Sequence, residues 1–124
     1  MPVLTRPAAP THQLPGAFFT SLATPTTGSV DTSVWEVRLS PGHPATTHQL
    51  TRQEVFVVLS GRGRASIAGV DHPLEVGSVL IVPAQTAFGL EAVGEAELTA
   101  LCCFPTDGQA VVGDLPPFTP PWAV

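Results

Sequence analysis

The chain reads as an all-β protein whose short antiparallel strands close into a sandwich or barrel. Three observations carry that expectation. Fourteen prolines and eleven glycines make up about a fifth of the 124 residues, spread along the chain, and punctuation this dense leaves little room for long helices. The apolar runs between them are short and rich in β-branched residues, as strands require. Several of these runs also alternate apolar and polar side chains, the period of a half-buried strand. With 44% hydrophobic and 12% charged residues and a mean hydropathy of +0.28, the composition suits a packed single domain rather than a disordered chain.

Residues 1–16 read as an extended arm, because Pro2, Pro7, Pro10 and Pro15 forbid helix. The domain proper is expected over residues 17–112, with a Pro-rich tail over 113–124. A first short strand fits residues 17–24. Ser33 to Leu39 alternates, with Trp35, Val37 and Leu39 on one face and Glu36 and Arg38 on the other. Pro41-Gly42 turns the chain into a strand around His48. Glu54 to Leu59 is nearly all apolar, as a strand packed on both faces would be. Gly61 and Gly63 bracket a turn, Arg64 to Ala68 returns, and Gly69 to Pro73 turns again. Val79 to Val82 reads as another buried strand, closed by Pro83, and Phe88 to Ala92 and Glu97 to Phe104 supply two more. The tail carries Pro116, Pro117, Pro120 and Pro121 and is expected to lie extended over the surface.

The net charge is −5, and all five basic residues are scattered arginines. Such a chain builds no basic patch large enough to release phosphate counterions, which sets nucleic acid and anionic membranes aside as partners. No run of eighteen apolar residues occurs, so no membrane span is expected. The N-terminus lacks the apolar core of a secretory signal, and a cytoplasmic location is the expectation. Cys102 and Cys103 are adjacent and too close for an unstrained mutual disulfide, so they read as free thiols in a reducing compartment. One of the two must face inward on a regular strand.

From Gly42 onward the sequence resembles the cupin family. Gly42 is followed after five residues by His48, after five more by Glu54, and after six more by Gly61. That spacing matches the first cupin motif except that Leu50 stands where the family has a second histidine. In the second motif Gly77 and Pro83 fit, while Gln85 replaces a glycine, Phe88 a histidine and Ala92 an asparagine. The resemblance spans about residues 33–104 and implies a jelly-roll β-sandwich. It also implies a homodimer, for which the apolar tail residues Phe118 and Trp122 would supply surface to bury.

The family places a divalent metal on three histidines and a glutamate, which here correspond to His48, Leu50, Glu54 and Phe88. Only His48 and Glu54 can ligate. Two ligands fall short of the three that a catalytic zinc or an oxygen-activating iron uses, and Leu50 and Phe88 fill the ion's space with apolar atoms. No cofactor is therefore expected. What remains is a histidine and a glutamate facing an apolar cavity, read as an acid/base pair for isomerase, cyclase or lyase chemistry on an apolar or aromatic metabolite. Burial would raise the Glu54 pKa and lower that of His48, whereas close pairing would push each the other way. Trp35, Leu50, Phe56, Val58 and Phe88 are expected to wall the ligand pocket, with Gln85 near its mouth.

Each reading has a plainer counterpart. His48 would be a relic ligand, Glu54 a structural partner of Arg52 or His48, and the aromatic residues ordinary core. Two other functions fit the same residues. One is a metal-dependent oxygenase or cyclase on His48 and Glu54 with His43, Gln85 or water completing the set. The other is a non-catalytic ligand-binding or sensory module.

Overall fold

A computed structural model describes residues 2–124. Among these residues it contains eleven strands and two short 3-10 turns. The larger sheet holds six strands: β1 (His12–Leu14), β2 (Ala17–Ala23), β3 (Thr32–Leu39), β10 (Leu98–Pro105), β5 (Glu54–Ser60) and β8 (Val79–Val82), in that spatial order. Facing it is a three-stranded sheet ordered β7 (Val70–Leu74), β6 (Gly63–Ile67) and β9 (Phe88–Ala92). A small pair, β4 (Gln49–Leu50) with β11 (Ala110–Val111), closes one end. All pairings are antiparallel, so the chain is an all-β jelly roll as its sequence predicts. No helix of the described residues is long and apolar enough to cross a membrane.

β10 sits near the middle of the large sheet because its sequence serves both neighbours. Leu98, Ala100, Cys102 and Phe104 are buried on the inner face, and the residues between them are half-buried. It pairs with β3 along its whole length, from Leu98 opposite Leu39 to Pro105 opposite Thr32, and with β5 on its other side after a bulge at Thr99/Ala100. The inner residues of β3 are Ser33, Trp35 and Val37, the parity read from the alternation. Gly61 is fixed by close approach: at φ 79 a side chain would be strained, and its Cβ would run into the Glu97 carbonyl.

The structure departs from the sequence reading along three strands. β5 is buried on one face only, with Glu54, Phe56 and Val58 inward and Val55 and Val57 half-buried. β8 likewise leaves Val79 60% and Ile81 62% exposed. β-branched residues favour the pleated backbone on either face, so an apolar run does not prove two-sided burial. The expected turn at Gly69 to Pro73 is instead β7. The turn itself is Ala68-Gly69, both at positive φ, the geometry of a two-residue hairpin. Pro73 is tolerated because β7 is an edge strand, where a missing N–H costs no ladder bond.

Both ends of the chain are also tied down. Residues 12–14 of the expected arm form β1, joined to β2 through Pro15-Gly16 with Gly16 at φ 72. The tail is exposed over residues 113–119, and it is anchored to the barrel. Phe118 bridges Ala110, and Pro121–Ala123 makes a 3-10 turn. The Trp122 ring stacks on Phe19 with centroids 3.6 Å apart. Ser21 and Ser33 each donate a 2.7 Å hydrogen bond to the carbonyls of Trp122 and Ala123. Trp122 thus finds its burial within its own chain, and needs no second copy for it.

Candidate functional site

Between the two sheets lies a cavity of about 570 Å³, within the range of small-molecule sites. The large sheet contributes Trp35 from β3, Glu54 and Phe56 from β5, and Cys102 and Phe104 from β10. His48, Leu50, Phe88 and Leu90 come from the opposite side. Leu14, His43, Leu115 and Phe118, all exposed, reach the cavity from its rim. The tail closes over it through Pro120 and Trp122.

Glu54 opens β5, opposite Val82, and alternation turns its side chain inward. It is 4% exposed. Among the described residues no side chain or backbone N–H donates to its carboxyl. Burial alone pushes its pKa up to about 8, because a carboxylate loses its hydration there while the neutral acid loses less. The sequence left Arg52 as a structural partner, but Arg52 reaches Asp107 at 2.6 Å instead.

His48 is held by a different sheet. Its backbone exchanges two 2.9 Å hydrogen bonds with Phe88, which adds this short segment to the β9 edge of the three-stranded sheet. Its ring packs on Phe88 with centroids 4.3 Å apart, and Nδ1 lies 2.9 Å from the Thr46 carbonyl oxygen. A carbonyl only accepts, so Nδ1 carries the proton and Nε2 keeps its lone pair. Burial holds the His48 pKa below its ordinary value, and the Thr46 carbonyl only partly opposes it. No hydrogen bond or ion pair joins His48 to Glu54. Of the two opposing influences on their pKa values, desolvation wins for both.

The structure brings together most of the residues singled out by sequence and removes two. Trp35, His48, Leu50, Glu54, Phe56 and Phe88 all line the cavity. Val58 points inward but packs in the core beyond it, 2% exposed and opposite Ala100. Gln85 is exposed at φ 58, held by its backbone N–H to the Leu50 carbonyl at 2.7 Å. Its place in the turn after β8 takes it off the lining. Sequence reasoning missed Phe104 and Phe19 as lining, although the parity of β10 places Phe104 on the same face as Cys102.

At the four positions where the resemblance assigns metal ligands, Leu50 and Phe88 set apolar carbon beside His48 and Glu54. Among the described residues no three His, Cys, Asp or Glu side chains come together to hold a metal ion. This donor set does not fit the three-histidine, one-glutamate ion of the family.

Two antiparallel sheets around an apolar cavity define a jelly-roll β-sandwich. The cupin domain model matches residues 35–104, more than half of the chain, and the chain belongs to the cupin family. No curated protein matches it by sequence. Among solved structures it is similar to vicilin from hazelnut, Corylus avellana, with a TM-score of 0.71 at 18% identity over 82% of this chain and 33% of that one. A salicylate 1,2-dioxygenase variant from Pseudoaminobacter salicylatoxidans in complex with gentisate gives 0.70 at 21% identity, over 86% and 31%. KdgF from Halomonas sp. gives 0.66 at 22% identity, over 77% and 84%. The chain spans about a third of the length of the first two, and these likenesses show a shared fold.

Proposed function

We propose that this cupin is a metal-independent acid/base enzyme of the isomerase, cyclase or lyase class. Its substrate is an apolar or aromatic small metabolite held between the sheets. The observation that carries the reading is Glu54, a buried carboxyl without a protein partner in an apolar cavity. Burying an ionisable group unpaired is costly, and such groups concentrate where chemistry uses them.

The two side chains divide the work. Glu54 holds its proton up to a pH of about 8, while the lowered pKa of His48 keeps its ring neutral. In the window between them the acid is protonated and the base is not, as paired acid/base catalysis requires. Nε2 of His48 removes a proton from the substrate as the Glu54 O–H donates one to its oxygen. The pair is reset when His48 returns its proton to the product or solvent and Glu54 regains one. Because the two residues come from different sheets, a substrate lying between the layers can meet both.

The chain is also proposed to act as a homodimer in the cytoplasm, where its two free cysteines stay reduced. Support for the dimer comes from the outer face of the large sheet. There exposed Val79 and Ile81 lie opposite half-buried Val57 and Val55, an apolar face suited to a second copy.

The test is proton exchange at the α-carbon of aromatic ketones such as 2-tetralone, followed by NMR in D2O. The protein should accelerate exchange, and His48→Gln or Glu54→Gln should each slow it by about 100-fold or more. Exchange at the uncatalysed rate across the ketone panel, or acceleration unchanged by either substitution, overturns the reading.

A further inference from the structure

Taking the cavity as the ligand site, as proposed above, we infer that it selects an uncharged ligand bearing a hydrogen-bond acceptor, which the Glu54 carboxyl meets as donor, and that it rejects carboxylates and phosphates. Among the described residues the lysine- and arginine-type cations all lie elsewhere. It has no lysine, and none of its five arginines lines the cavity. Arg6 pairs with Glu36, Arg52 with Asp107 and Arg64 with Glu91. Arg38 lies 3.0 Å from Glu97 and stacks over Phe18, and Arg62 sits by Gly94 outside the barrel. The ionisable groups that face the cavity are Glu54, His48, Cys102 and, at the rim, His43.

An anionic ligand would therefore surrender its hydration to a wall of aromatic and aliphatic side chains with no fixed cation to meet it. The Glu54 carboxyl would oppose it whenever ionised. An ammonium ligand fares only a little better. The aromatic faces attract a cation, but holding one requires Glu54 to ionise, and two ions must then be desolvated together for one buried pair. A carbonyl or ether oxygen asks for neither. The protonated carboxyl supplies an O–H, the ligand supplies the acceptor, and no net charge enters the cavity. Burial that keeps the Glu54 proton in place at neutral pH agrees with this.

The experiment is competition against Nile red, a neutral probe that brightens in apolar surroundings, by three naphthalenes of one size at pH 7. These are 2-acetylnaphthalene, 2-naphthoate and 2-naphthylmethylamine. The ketone should displace the probe at a concentration about 10-fold or more below that of either charged analogue, the scale of one buried hydrogen bond. Glu54→Gln, whose amide still donates, should keep that preference, and Glu54→Leu should abolish it while still binding Nile red. Raising the pH to 9.5 should weaken the ketone in the native protein but not in Glu54→Gln. Equal or tighter binding of the naphthoate or the amine overturns the inference and leaves the cavity standing as the ligand site. Failure of Nile red and all three competitors to bind overturns the cavity reading itself.

Discussion

Replacing Glu54 with glutamine removes one titrating proton from the cavity while keeping the shape of the side chain, and its effect on stability should depend strongly on pH. Below pH 4.5 the carboxyl is protonated in both the folded and the unfolded chain. As the pH climbs, the unfolded carboxyl ionises while the buried one, with its pKa near 8, keeps its proton. The unfolded state gains, and the native protein loses stability until the pH passes about 8 and the folded carboxyl ionises as well. At 1.36 kcal/mol per pH unit, the interval from 4.5 to about 8 amounts to about 5 kcal/mol. That is a large fraction of the stability of a small domain.

The assay is urea denaturation of both proteins at pH 5 and pH 8.5. Every other titrating group is common to the two, so subtracting their pH responses isolates Glu54. Glu54→Gln should gain about 4 kcal/mol on the native protein between the two pH values. A gain below about 1 kcal/mol would show that the carboxyl is solvated or paired in the fold, and would refute the desolvation argument.

Three further outcomes follow from the packing. Trp122→Ala removes the ring stacked on Phe19 and should lower stability in thermal denaturation by about 2–3 kcal/mol, somewhat less than a fully buried Trp because Trp122 is half-buried. Ile81→Glu places a charge on the outer face of β8, where Ile81 is exposed. Light scattering should find a dimer in the native protein and a monomer in the variant, with unchanged circular dichroism. Arg52→Ala breaks only an exposed pair with Asp107 and should cost less than about 1 kcal/mol in urea denaturation.

Parity makes much of the site legible in the amino-acid sequence. A single alternation carries Glu54, Phe56 and Val58 inward along β5, and the same parity turns His48 and Leu50 toward the cavity from its other side. The motif spacing locates His48, Leu50 and Glu54 independently. What parity cannot report is depth along the barrel axis, which is why Val58 faces inward and still misses the cavity. It is equally silent on what covers an outer face, so the β-branched β8 reads as buried although Val79 and Ile81 are exposed. Gln85 fails for a local reason, since its positive φ belongs to a turn that sequence pattern alone does not orient. The tail fails for a long-range one. Nothing near residue 122 indicates that Phe19, a hundred residues earlier, will stack on it. Finally, sequence allows His48 and Glu54 either to pair or to stand apart. Only the placement of His48 on the β9 side and Glu54 on the large sheet separates those cases.

The central claim is that this cupin cavity performs acid/base work with its own side chains, on a donor set that does not suit a metal. It is tested most directly by the metal content of the folded protein, purified without an affinity tag or chelator and analysed by inductively coupled plasma mass spectrometry. The predicted result is a transition-metal content near zero per chain with the fold intact. A content near one per chain would contradict the claim, and would mean that His48 and Glu54 recruit ligands from outside the four family positions.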